Sequence, residues 1–181
     1  MTSDPTVTPA RPDDIPSGPV AGWDERTVLF TVLDYARGTV HAKCAGLTDG
    51  DARRAPLPGS PLTTISGLVS HLRWVEHSWL EVCLLGGEDR GPWTEEDPDR
   101  EMRIAAGIPL AELLADYADA CARHSELIAS LDLATLSREH PDWRSEPFTL
   151  RWILHHLIEE TSRHNGHIDI LRELADGATG R

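Results

Sequence analysis

The sequence predicts an all-α fold, a four-helix bundle with two long inter-helix connections. Three observations lead there. Apolar residues recur at a 3.6-residue spacing in four stretches of roughly 20 residues or more. No stretch alternates apolar and polar residues as a half-buried strand would. The breakers, among them Pro56, Pro58, Pro61, Gly86-Gly87 and Pro109, fall between those stretches.

Taken in order, residues 1–22 hold five prolines and only scattered aliphatic residues. Such a segment buries too little surface to offset the entropy of ordering it, so a flexible leader precedes a domain spanning 23–181. Asp24 is placed to cap a first helix whose inner positions are Val28, Leu29, Val32, Leu33, Ala36 and Val40, ending near Gly46. Residues 48–55 allow one short turn. A second helix runs from about Thr63 to Leu85 on the stripe Ile65, Leu68, Leu72, Val75, Trp79 and Cys83, and Gly86-Gly87 stops it. Pro109 suits the first position of a third helix reaching about Leu131, with Leu110, Leu113, Leu114, Tyr117, Ala118, Cys121 and Leu127 inward. The fourth helix follows Thr149 and continues to about Ala175. The connections 86–108 and 132–148 exceed the usual bundle link of about 2 to 8 residues. Each carries a tryptophan amid charge, Trp93 and Trp143, read either as an anchor pinning a surface loop or as part of a lid.

Composition bounds the function. The chain has 181 residues, enough for one domain, and 40% hydrophobic against 26% charged residues support a sizeable core. A formal charge of -13 opposes a nucleic-acid partner, which needs a basic face. No apolar run approaches the roughly 20 residues of a membrane span, and the N-terminus lacks the layout of a secretory signal. Cys44, Cys83 and Cys121 are odd in number and widely spaced, neither a disulfide framework nor a CxxC metal site. The expectation is a cytoplasmic protein acting on a small molecule, as a monomer or homodimer.

The fourth helix, LRWILHHLIEETSRHNGHIDILREL, carries polar residues where a bundle helix should be apolar. At about 100° per residue, Leu150, Ile153, Leu157, Ile168 and Leu171 share one face with Glu160 and His164. Glu159, His155 and Trp152 fall opposite. A carboxylate on an inner face requires a partner or a shifted pKa. At i and i+4, Glu160 and His164 can reach one ion, and a carboxylate with imidazoles suits zinc, nickel or iron. His71, flanking the stripe of the second helix, is the third candidate, whereas His77 faces away. His156 and His167 flank the same inner face. The same residues also fit a metal-free buried pair with a polar rim. His41, His124 and His140 read as surface or loop residues.

At these residues the chain resembles the DinB-like superfamily, which includes mycothiol-dependent maleylpyruvate isomerase, and most strongly a branch of actinobacterial mycothiol transferase-like proteins. The similarity runs from about Trp23 to Thr179. LVSHLRWVEHSWL, WTEEDPD and above all LRWILHHLIEETSRHNGHIDILRELADGATG carry it. The resemblance implies a four-helix bundle with a divalent metal held by one His of the second helix and two fourth-helix residues spaced four apart. Many members have His-x3-His there. This chain has Glu160 first, the arrangement of the mycothiol-dependent isomerase branch. His164-Asn165-Gly166-His167 matches the end of the motif, with His167 where others place Gln. Carried over, the ligands are His71, Glu160 and His164. The implied chemistry is activation of a low-molecular-weight thiol such as mycothiol on the metal, zinc first, for attack on an electrophile, with His167 and His156 as proton carriers or supports. The competing expectation is a metal- or small-molecule-binding bundle without turnover.

Overall fold

The computed structural model describes residues 22–140 and 146–179. The expected leader lies almost wholly outside them, as does Trp143. Among these described residues six α-helices follow in order: α1 (Glu25–Cys44), α2 (Asp49–Ala52), α3 (Ile65–Glu76), α4 (Arg100–Ile104), α5 (Leu110–Ile128) and α6 (Leu150–Asp176). α3 runs on as a π-helix, His77–Leu84, and a 3-10 turn, Ala105–Gly107, follows α4. Among the described residues the only extended pairing is an isolated bridge between Leu136 and Thr149. The four long helices form the bundle, with α1 along α6 and α3 against both α5 and α6. None of the described helices is long and apolar enough to cross a membrane.

The ends are set by side chains the sequence supplies. Asp24 accepts from the backbone N–H of Thr27 at 2.7 Å, Thr64 from Gly67 at 2.9 Å and Thr149 from Trp152 at 3.2 Å. Each satisfies an N–H that the helix cannot. α6 closes on Gly177 in the left-handed region (φ 78°), whose N–H bonds back to the carbonyl of Glu173. Pro109 is the N-cap of α5 and not its first helical residue.

Two apolar clusters fill the bundle. One joins Val40, Leu68, Leu72, Leu113, Tyr117 and Ile168, and the other Leu33, Leu80, Leu84, Phe148, Ile153 and Leu157. Between them lies a polar layer that the sequence did not disclose. Arg37 of α1 grips both oxygens of Glu76 at 2.7 and 2.8 Å, and His124 of α5 faces Glu76 Oε2 at 3.0 Å and Glu81 Oε1 at 2.8 Å. Burial pushes the Glu76 carboxyl up, but the Arg37 charge and the bonds from His124 and Arg37 outweigh it and hold the group at about 2.

Expectations about the inner face are corrected at four residues, His124, Leu127, Val28 and Val32. His124 is 0% exposed, not a surface residue, and Leu127 is 42% exposed, not inward. His124 and Ile128 stand close to two and three turns of about 3.6 residues after Tyr117, and Leu127 does not. On α1, Val28 and Val32 are also exposed at the edge of the stripe, while Leu29, Leu33, Ala36 and Val40 are buried. His41 is half-buried against the Tyr117 ring at 5.8 Å, and His140 is exposed.

Candidate metal centre

α6 is unbroken from Leu150 to Asp176, so its 3.6-residue period carries Glu160 and His164 to the face that meets α3. There His71 joins them: one ligand-type atom from each of His71, Glu160 and His164 lies within 4.8 Å of the others. The geometry is directional. His71 Nε2 stands 3.4 Å and His164 Nε2 3.0 Å from the same oxygen, Glu160 Oε1. The two imidazoles meet edge to face with centroids 4.9 Å apart.

The far nitrogens are engaged as well. His71 Nδ1 faces Glu101 Oε1 at 3.2 Å, and His164 Nδ1 faces His167 Nδ1 at 3.2 Å. Each Nδ1 has a partner of its own, so each Nε2, when its proton is given up, can turn its lone pair to an ion at the point where the two rings meet Glu160. Burial tends to raise the Glu160 carboxyl, but hydrogen bonds from His71 and His164 bring it below its ordinary value. Burial and the neighbouring His71 push His164 down, favouring neutral imidazole. One carboxylate and two imidazoles converging on one point form a donor set that zinc, nickel or iron accepts.

Periodicity did not single out Glu101. It sits on the five-residue helix α4, inside the connection 86–108, where an acidic run masks it. The side chain is buried, and Ser70 Oγ donates to its carbonyl at 2.7 Å, tying α4 to α3 one residue before His71.

A cavity of about 260 Å³ adjoins the cluster and shares His71 with it; Glu101, the partner of His71, and Trp74, Val75, Ser78, Trp79 and Trp93 supply the rest of its wall. Trp93 of the long connection is thus seated on the bundle, its ring 6.0 Å from Trp74. His156 is not part of the donor cluster. It stacks on Trp152 at 5.2 Å and meets Trp79 at 4.6 Å. His77 also stays outside the cluster, yet it is 1% exposed: the π-helix breaks the α phase after Glu76 and turns it under the connection, where it accepts from the N–H of Arg90 at 3.1 Å.

None of the three cysteines faces the cluster as a reactive thiol. Burial raises the pKa of all three, Cys44 to about 12. Arg151, Arg163 and Arg172 pair with Glu25, Glu159 and Asp176.

A crystal structure of a conserved protein from Enterococcus faecalis superposes with a TM-score of 0.62 at 15% identity, covering 87% of this chain and 100% of that one. That likeness shows the fold. Comparison with curated proteins finds no significant match. The family model described as mycothiol-S-transferase matches residues 28–177. That span is most of the chain, and the protein belongs to this DinB-like mycothiol-S-transferase family.

Proposed function

We propose that this protein is a divalent-metal-dependent S-transferase that joins a low-molecular-weight thiol of the mycothiol type to an electrophilic carbon. The observation that carries the reading is the convergence of His71 Nε2 and His164 Nε2 on Glu160 Oε1 beside a cavity. A divalent ion held by His71, Glu160 and His164 supplies the positive charge that favours the thiolate form of an incoming thiol.

The chain's own residues do the rest. Glu160 contributes the one negative charge of the donor set. Glu101 accepts from His71 Nδ1–H, and His167 accepts from His164 Nδ1–H, so both rings keep their Nε2 lone pairs directed at the centre. His167 is exposed, so the proton the thiol gives up on becoming a thiolate, before the sulfur–carbon bond forms, has a route through it to water. His156, packed on Trp79, supports the cavity wall. In this reading the second substrate enters the cavity beside His71, and the leaving group, where there is one, departs with the bonding electrons. The three free cysteines and the need for a reduced co-substrate fit a cytoplasmic reaction.

The test is elemental analysis after zinc loading and dialysis, paired with mass spectrometry of thiol adducts. The expected result is near one ion per chain and adduct formation, both lost in the Glu160→Ala, His164→Ala double variant. Adduct formation and bound ion that both survive in that variant overturn the reading.

A further inference from the structure

The cavity beside His71 has walls that thiol activation does not use. Its volume, about 260 Å³, falls below the roughly 300–1,000 Å³ of pockets for drug-sized molecules, which suits a group of one or two rings. Three of its side chains are tryptophans, and each is held from outside the cavity. Arg73 lies over the Trp74 ring at 3.7 Å from its centroid, and His77 meets the same ring edge-on at 5.4 Å. Trp79 is wedged against Phe148, Trp152 and His156 at 5.2, 5.3 and 4.6 Å. Trp93 Nε1 donates to Asp89 Oδ2 at 3.0 Å. Its ring covers Gly91, where a Cβ would stand 2.1 Å from Trp93 Cζ2. A glycine is therefore required beneath this ring. Walls fixed before a ligand arrives lose little side-chain entropy when it binds.

The charge on the wall narrows the ligand. Among the described residues no Lys or Arg lines the cavity and Glu101 is its one carboxylate, so without a bound ion this wall offers an anionic group no counter-charge. Arg73 already occupies one face of Trp74, so a cation on the other face meets like charge. Flat π faces reward a flat partner. We propose that this cavity binds a neutral, planar aromatic group of one or two rings, the non-reacting portion of the electrophilic substrate. The inference rests on the S-transferase reading only in assigning the ring to the electrophile; the ring preference itself needs neither metal nor thiol.

The experiment is calorimetric titration of the full chain, treated with chelator, with 4-nitrobenzyl alcohol. Cyclohexylmethanol, 4-nitrobenzoate and 4-nitrobenzyltrimethylammonium serve as the saturated, anionic and cationic comparisons. The neutral aromatic is expected to bind one site per chain roughly tenfold more tightly than each comparison. Trp93→Leu, which keeps apolar bulk but removes the ring, and Gly91→Ala, which displaces it, are each expected to weaken it by roughly fivefold or more. Zinc stoichiometry of both variants, measured in parallel, reports that the bundle and the donor cluster are intact. No saturable binding, equal or tighter binding of any comparison compound, or indifference to both variants overturns the inference. Loss of ring preference with zinc binding intact removes this inference alone. A ring preference in a chain that binds no zinc supports the aromatic site and overturns the metal-dependent reading.

Discussion

His71 Nδ1 stands 3.2 Å from Oε1 of Glu101, a residue thirty positions along the chain on a short helix of the long connection. The connection therefore supplies the carboxylate that orients an imidazole on α3. Loss of such an outer partner typically lowers metal affinity by about 10–100-fold. Glu101→Gln keeps the shape and removes the charge, so zinc affinity measured by chelator competition is expected to fall by about tenfold. Thermal unfolding of the metal-free variant checks that α4 stays docked. Unchanged affinity would mean that Glu101 does not set the ring.

The buried layer around Glu76 makes a prediction about stability. Arg37→Met leaves the Glu76 carboxylate, 1% exposed, without its guanidinium. Breaking one side of such a pair costs about 3–5 kcal/mol, whereas replacing both sides with apolar groups is often neutral. Urea denaturation should show a large loss in Arg37→Met and a smaller one in the Arg37→Met, Glu76→Met double variant. A single-variant loss below about 1 kcal/mol would place the pair among weak surface bridges.

The same carboxylate gives the acid limb of stability a defined sign. Glu76 sits at about 2 in the folded chain against an ordinary 4.5, so folding favours its charged form. The stability it contributes is complete above pH 4.5 and is lost as pH falls towards 2. Urea midpoints of the native chain should drop through that window more steeply than those of Glu76→Gln, which has no proton to take up there. Parallel curves for the two proteins would contradict the assignment.

Much of this was legible because α6 is one uninterrupted α-helix. Its phase separates Glu160 from Glu159, and Thr149 supplies the expected cap. His71 was legible for the same reason on α3. The phase rule failed beyond Glu76, where the π-helix holds more residues per turn and turns His77 inward. Glu76 itself follows the buried Leu72 by four residues and keeps the α phase. Glu101 had no periodic signal at all, since a five-residue helix has no face to compare. His124 did have one, since it stands close to two turns after Tyr117, but its polarity argued for the surface. Burial of His124 depends on Glu76 and Glu81, which come from another helix and cannot be read from α5 alone.

The cysteines offer a prediction that separates thiol activation at the donor cluster from a protein thiolate. Cys44, Cys83 and Cys121 are buried, and their thiols are raised above the ordinary range. Only the thiolate reacts with a disulfide reagent at a useful rate. Native protein at pH 8 should therefore show no fast-reacting thiol, and all three should react in urea. A Cys44→Ala, Cys83→Ala, Cys121→Ala variant should still form adducts when it remains folded by circular dichroism. Loss of adduct formation in that folded variant would move the nucleophile onto the chain.

Glu160→Gln tests the donor cluster through folding. The glutamine matches the glutamate in size but brings an uncharged amide to the oxygen that His71 Nε2 and His164 Nε2 share. A ligand that binds only the folded state stabilises it by RT ln(1 + [L]/Kd), about 2.7 kcal/mol at one hundred times Kd. For a domain of 150 to 250 residues each kcal/mol raises Tm by about 2–4 °C. Zinc at that excess should therefore raise the native Tm by roughly 5–11 °C. The rise should be nearly absent in Glu160→Gln, because two imidazoles without the carboxylate bind far more weakly. The metal-free Tm of the variant supplies the control: close to the native value, it assigns the lost shift to metal binding and not to damage in α6. An equal zinc-induced rise in both proteins would put the ion elsewhere on this acidic chain.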